Sequence, residues 1–278
     1  MPAAVKTNAF LLGEATLMIA PYSAPVSVFD LTPDDHSVGM VRGVTLTKEN
    51  DEVELRKGVR QLLVDSQESN VRVNLSAEVF EYSAQNVLYS LGRATTAVAP
   101  KRGKLAAAAN GAASTITVVS DPLPGEASTG ISAAGDIPEG ATVMIQRPDD
   151  ETDYVLAVRV TDDTVENSGE FTVTVAIPTG MSFPAGSKVW VVNELSVGST
   201  TPMDFFKVKL VSTLSNNGRP VQFVVPKVKI VRGFQFNFDE GNYTSMPFEL
   251  RPYFLSAAEA TGRLAEIGTN KLVHGFLA

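Results

Sequence analysis

The chain has two histidines, His36 and His274, set near its opposite ends. A Ser-His-Asp relay would need one of them close to a nucleophile elbow such as G-x-S-x-G, and neither lies near one. No H-x-x-x-H pair or carboxylate–histidine spacing suits a metal ion. The absence of cysteine excludes disulfides, thiolate metal sites and cysteine nucleophiles. Asp149-Asp150-Glu151-Thr152-Asp153 is the densest acidic cluster and could offer alternating oxygens to Ca2+. It lacks the glycine and closing glutamate of an EF-hand loop, so after Pro148 it reads as a solvated hairpin tip. Asp162, Asp163 and Glu166 read as a second acidic turn. Gly39, Gly43 and Gly58 are too sparse to cradle a phosphate. These residue types point to a protein that is not an enzyme and carries no cofactor. One charged stretch stands apart: Lys48, Glu49, Asp51, Glu52, Glu54, Arg56, Lys57 and Arg60 mix both signs. That mixture suits a self-complementary contact between like subunits, and equally a solvated hairpin.

With 278 residues the chain can bury a sizeable core, as one large or two modest domains. The net charge of −8 argues against tight, static binding of nucleic acid, which needs clustered Lys and Arg to displace counterions. A wall of like charge would still let DNA slide past, depending on where the charge lies. The apolar run near the N-terminus is broken at Gly13 and Glu14, which speaks against a signal peptide. Nothing approaches the ~18 continuous apolar residues of a membrane span, so the expectation is a chain made in a cytoplasm, without membrane insertion.

The elements that must position these groups read mainly as strands. Val71, Val73, Leu75, Ala77 and Val79 alternate with Arg72, Asn74, Ser76 and Glu78, the pattern of a strand with one buried face. Ser83 then caps a short helix with Val87, Leu88 and Leu91 on one stripe and Gly92 as its stop. Residues 1 to about 40, with Pro2, Pro21, Pro25 and Pro33, form an arm that pairs with its own sheet, reaches a neighbour, or is only partly ordered. Thr95–Gly111 is small and weakly basic, as in a linker or exposed crossover. From about 112 to 198 come short strands: Ile116 and Val118, Thr142–Gln146, Tyr154–Val160, Phe171–Ile177 and Lys188–Val192. Pro138-Glu-Gly-Ala-Thr-Val143 and Pro184-Ala-Gly-Ser-Lys-Val189 share a turn that launches a strand. Later, Phe206, Val208 and Leu210 mark a strand, and Asn216-Asn217-Gly218 a tight turn. Val221–Val231 is a strand whose Pro226 belongs at an edge or a bulge. Phe234, Phe236 and Phe238 form an aromatic buried face. Ser256-x-x-Glu259 is a capping box opening a C-terminal helix through about Ile267, stopped at Gly268.

The order strand, charged hairpin, strand, helix over Val44–Gly92, with the closing strands of Met203–Phe254, resembles the major tail tube proteins of long-tailed bacteriophages. These two stretches make up roughly half of the chain. The resemblance implies an antiparallel β-barrel or sandwich with one flanking helix, built from residues 1–99 and 201–278 and ending in a short C-terminal helix. Residues 100–200 would be an inserted small β-domain, a departure from compact tube proteins. It further implies a structural virion protein: stacked six-fold rings of identical subunits forming the conduit for genome delivery. Tail sheath, tape-measure and baseplate proteins would be its neighbours, and DNA a transient, non-specific passenger. In that family a long loop between two early strands contacts the next ring or subunit, which would give Lys48–Arg60 this role; the N-terminal arm and the tail Thr269–Ala278 could join it. A tail terminator, a baseplate piece or a secretion-type tube on the same barrel stays open. A carbohydrate-binding β-sandwich fits less well, because Trp190 is the single tryptophan.

Overall fold

Alternating branched-apolar and polar residues give this chain strands with one face to bury, and the fold is mainly β, with every strand pair among the described residues antiparallel. The structure, a computed structural model, describes residues 11–57, 62–148, 155–198, 200–214, 219–235 and 245–277; within these, side chains are described except at 11–14, 52–57, 62–70 and 214. The chain folds as two units, Met1–Thr96 with Val197–Ala278, and Ala97–Ser196.

The first unit contains β1 (Leu11–Pro21), β2 (Val41–Lys57) and β3 (Leu62–Val79). After the chain returns come β13 (Phe206–Leu214), β14 (Pro220–Arg232), β15 (Met246–Pro252) and β16 (His274–Leu277). Their order is β1-β13-β14-β15-β3-β2, with β16 beside β14. Leu17, Leu75, Phe206, Val228 and Phe248 point to a common interior. The sheet curls until its ends meet: Val38, just before β2, donates its N–H to Leu17 O of β1 at 3.1 Å. The N-terminal arm therefore pairs with its own sheet over β1, and residues 1–10 lie outside the described region. The opposite face of β1, Met18 and Ala20, is covered by Val28, Phe29, Leu31 and Ile267. Between β1 and β2 lie a 3-10 turn (Val28–Asp30) and one α-helical turn, α1 (Pro33–His36).

Helix α2 (Ala84–Ser90) forms where the sequence places it: Ser83 Oγ accepts the N–H of Asn86 at 3.1 Å, and Val87 and Tyr89 pack into the interior. Tyr89 meets Phe206 edge-on with ring centroids 5.2 Å apart. Pro226 sits at a bulge, where Phe206 pairs with Val228 but Val208 pairs with Val225. It also falls between the stretch of β14 that pairs with β16 and the stretch that pairs with β15, so its missing N–H leaves no ladder position empty. The C-terminal helix is shorter than the sequence suggests. Ser256 and Glu259 close a turn, and a 3-10 helix follows only over Gly262–Glu266, because Gly262 takes a φ of +56° that no α-helix accepts. Phe234 is half-buried against the interior, whereas Phe236, Phe238 and the Asn216-Asn217-Gly218 turn lie outside the described residues.

The second unit contains β4 (Lys101–Leu105), β5 (Ala109–Asn110), β6 (Thr115–Ser120), β7 (Thr142–Gln146), β8 (Val155–Arg159), β9 (Val165–Asn167), β10 (Glu170–Thr174), β11 (Ser182–Phe183) and β12 (Lys188–Val192). One sheet runs β8-β7-β12-β4-β6-β10-β9, and β5 pairs with β11. The linker expected over Thr95–Gly111 contains β4, a central strand between β12 and β6. Its centre is Gly103, where a Cβ would come within 2.5 Å of Val118 Cγ1; glycine hides the strand from a hydrophobicity pattern while permitting the close packing. The repeated Pro-x-Gly motif is one turn used twice. Ala141 N–H reaches Pro138 O at 3.0 Å and Ser187 N–H reaches Pro184 O at 3.2 Å, with Gly140 and Gly186 at φ of +80° and +85°. The strands that follow, β7 and β12, pair with each other and bury Val143 and Val189.

Phe206 joins helix and sheet in the first unit, so Phe206→Ala is expected to cost about 3–5 kcal/mol in urea unfolding. A change within about 0.5 kcal/mol, typical of a surface position, would refute this packing.

Candidate assembly surfaces

The charged stretch singled out in the sequence is strand, not loop, as far as Lys57. β2 and β3 pair continuously from Val41↔Val79 to Lys57↔Leu62, with register shifts at Arg42/Thr45, Asp51/Glu52 and Leu55/Arg56. Such bulges increase the local twist. β15 leaves β3 at Leu75, so from Asn74 outward the hairpin is a ribbon whose two outer edges make no strand pair among the described residues. Free edges of this kind offer a row of N–H and C=O groups to another chain.

Strand geometry also splits the expected contact residues between two faces. Lys48 lines a groove of about 500 Å3 on the interior side with Leu46, Val71, Val73, Phe223 and Phe254. Glu49 lies on the other side, opposite Arg72, and the exposed pair Asp51–Arg72 spans 3.7 Å. An ion pair this open to solvent contributes little by itself. Glu52, Glu54, Arg56 and Lys57 continue along β2, and Arg60 lies outside the described residues. Lys48 therefore lies on one face of the ribbon and Glu49 and Asp51 on the other, so the stretch is not one surface. Phe254, which lines the groove beside Lys48, is 48% exposed, and Leu277, at the end of β16 and outside the groove, is 74% exposed. Part of the C-terminal tail is thus β16, paired with β14, which the sequence reading missed because four residues, one of them glycine, carry too little alternation.

Behind the sheet, lysines hold the flanking segments. Lys207 Nζ donates to Ala24 O at 2.6 Å and to Val26 O, and burial lowers its pKa. Lys209 Nζ donates to Phe29 O at 2.8 Å and Leu31 O at 2.9 Å. Lys227 Nζ meets Glu259 Oε1 at 2.7 Å, while Ser256 N–H and Oγ–H both donate to Glu259 Oε2 at 2.8 Å. The Lys227 hydrogen bond, followed by that from Ser256 N–H, holds the Glu259 carboxyl at about 2. Burial, with the Glu259 charge behind it, pushes the Tyr22 phenol up to about 12. The capping box was visible in the sequence, but its partner on β14 was not, since the two are joined only by the fold.

The remaining candidates fall apart spatially. His36 accepts the Thr32 N–H at Nδ1, 3.2 Å away, and His274 lies edge-on to Phe276 on β16. Among the described residues, no three His, Asp or Glu side chains gather around a metal position. Asp162, Asp163 and Glu166 are exposed on and before β9, and Asp149–Asp153 lie outside the described region. Arg102 stacks over the Trp190 ring at 5.2 Å, with Met144 as the opposite cross-strand neighbour, so the indole is not an open platform for a sugar. No protein-family model matches this sequence, and no curated protein matches it.

The Glu259 carboxyl is more acidic folded than its ordinary value of 4.5, so its stabilisation is complete above that pH and is lost as pH falls towards about 2. The melting-temperature gap between wild type and Glu259→Gln should hold at neutral pH and close between about pH 4.5 and 2. A gap that persists at pH 2 would show that the charge is not what holds the turn.

Proposed function

We propose that this chain is a structural virion protein: the subunit of a phage tail tube, polymerising as stacked six-fold rings into a conduit for the genome. The observation that carries this reading is the β2–β3 ribbon, which outruns its sheet with two free edges and flanks an apolar groove. A monomer has no use for such edges, whereas a ring that continues the sheet from one copy to the next satisfies them. The curled antiparallel sheet with one packed helix, α2, supports the same reading.

Charge adds detail. Residues 97–196 carry six Lys and Arg against thirteen Asp and Glu, while the rest of the chain holds seventeen against eighteen. In a tube built by the first unit, wall and joints are near charge balance, and the acidity belongs to the inserted unit. Sheath, tape-measure and baseplate proteins are the heterologous partners this role requires, with DNA passing without a fixed site.

Negative-stain electron microscopy of the purified protein across concentration and salt should show rings or hollow tubes of uniform diameter. Single rings that never stack would favour a tail terminator. Arg56→Glu with Lys57→Glu should preserve the circular-dichroism spectrum while weakening tube formation; normal tubes from that variant would remove the ribbon from the stacking contact.

A further inference from the structure

On the outer face of β13 and β14, three lysines are anchored: Lys207 and Lys209 by carbonyls, Lys227 by Glu259. Lys229 is not. It stands directly opposite Arg251 of β15, and like charges so placed in an antiparallel pair repel. Among the described residues neither makes an ion pair; Lys229 Nζ rests only over the rings of Phe205, at 4.5 Å, and Tyr253, at 5.9 Å. From Arg251 a groove of about 270 Å3 extends along Tyr253 and Phe254 to Arg72; Glu49, which also lines it, is set opposite Arg72. The fold therefore sets two adjacent cations beside exposed aromatic side chains, with no ion pair to either among the described residues.

The complementary feature lies elsewhere in the same unit. Asp34 and Asp35 are exposed on α1, and exposed Met40, 74% open to solvent, follows. Asp35 accepts the Thr32 hydroxyl at 3.2 Å, and neither carboxylate meets a cation among the described residues. We infer that Lys229 and Arg251 are the docking site for the Asp34–Asp35 turn of a second copy of this chain, an inference that rests on the assembly reading above. Two charges face two charges, and Met40 has Tyr253 and Phe254 as apolar counterparts. Because the two patches differ, a contact that uses each patch with a different neighbour is head-to-tail, the kind that closes into a ring or runs on as a filament. A polyanion fits less well, because two cations give few phosphate contacts and Glu49 and Glu249 stand on the same face.

The test is a charge swap in the full-length chain, read by sedimentation velocity at low and high salt. Lys229→Glu/Arg251→Glu and Asp34→Lys/Asp35→Lys should each weaken self-association at least about tenfold. Mixing the two variants should restore it, since each supplies the patch the other has inverted. Lys229→Gln/Arg251→Gln repeats the first arm if reversal disturbs the fold. Undiminished association of the reversed variants, failure of the mixture to recover, or no association of the wild type at low salt overturns the contact. Binding of heparin to the wild type but not to the first variant, without rescue in the mixture, would assign the patch to a polyanion. Because the readout is association and not tube formation, wild type that associates without making tubes rejects the tube and leaves this contact tested on its own.

Discussion

The first unit is organised around what becomes of the backbone hydrogen-bonding groups at the edges of its sheet. A strand edge in water is tolerable, but it is also a template for another chain. At one end the problem is solved internally, because the sheet curls and Leu17 O receives Val38 N–H. At the other it is left open. β3 carries on for about a dozen residues beyond the point where β15 turns away, with only β2 beside it. Register shifts along this ribbon increase its local twist, and its outer edges make no strand pair among the described residues.

Lysine is used here less as surface charge than as a prop. Two ammonium groups on β13 take carbonyls of residues 24–31, and that loop covers the second face of β1. Each lysine places a cation where an aliphatic residue would ordinarily sit, and its cost in desolvation is offset by charge-assisted hydrogen bonds to carbonyls that would otherwise be unpaired. The Glu259–Lys227 pair does the same for the C-terminal segment, with a carboxylate locked by its own capping turn. Both segments that flank the sheet are thus held by polar contacts to two adjacent strands, which makes Lys229, on the same face and without such a contact, the exception that calls for an explanation.

Much of this fold was legible because the relevant signals are local. The cap at Ser83, the alternation from Leu75 to Val79 and the turns before Val143 and Val189 all depend on residues a few positions apart. Pro226 announced an edge or a bulge, because a proline in a long strand has few other places to go, and the fold uses the bulge. What escaped was non-local or silent. Gly103 carries no hydrophobic signal, yet it is the centre of a buried strand, since closeness and not side-chain area is what that position requires. β16 is too short to show a period, and the extent of the ribbon could not be read because its polar residues look the same in a loop and in a two-stranded hairpin. The candidate contact residues were recognisable as charged and mixed, but not as divided between two faces, which only the register decides.

The division of charge between the units bears on how such a subunit could work. If acidity were spread evenly, every joint between copies would carry mutual repulsion, and edge pairing would have to overcome it at each ring. Concentrating it in residues 97–196 leaves the surfaces with free edges close to neutral, where short-range hydrogen bonds and apolar contacts can decide the geometry. Long-range repulsion among the acidic units would still oppose unspecific clustering, and more weakly as salt rises. If copies of this chain assemble as proposed, specificity at the joints would come from a few local pairs and mutual repulsion from the acidic unit, so removing residues 97–196 would be felt first in how the particles repel one another and least in how their sheets join.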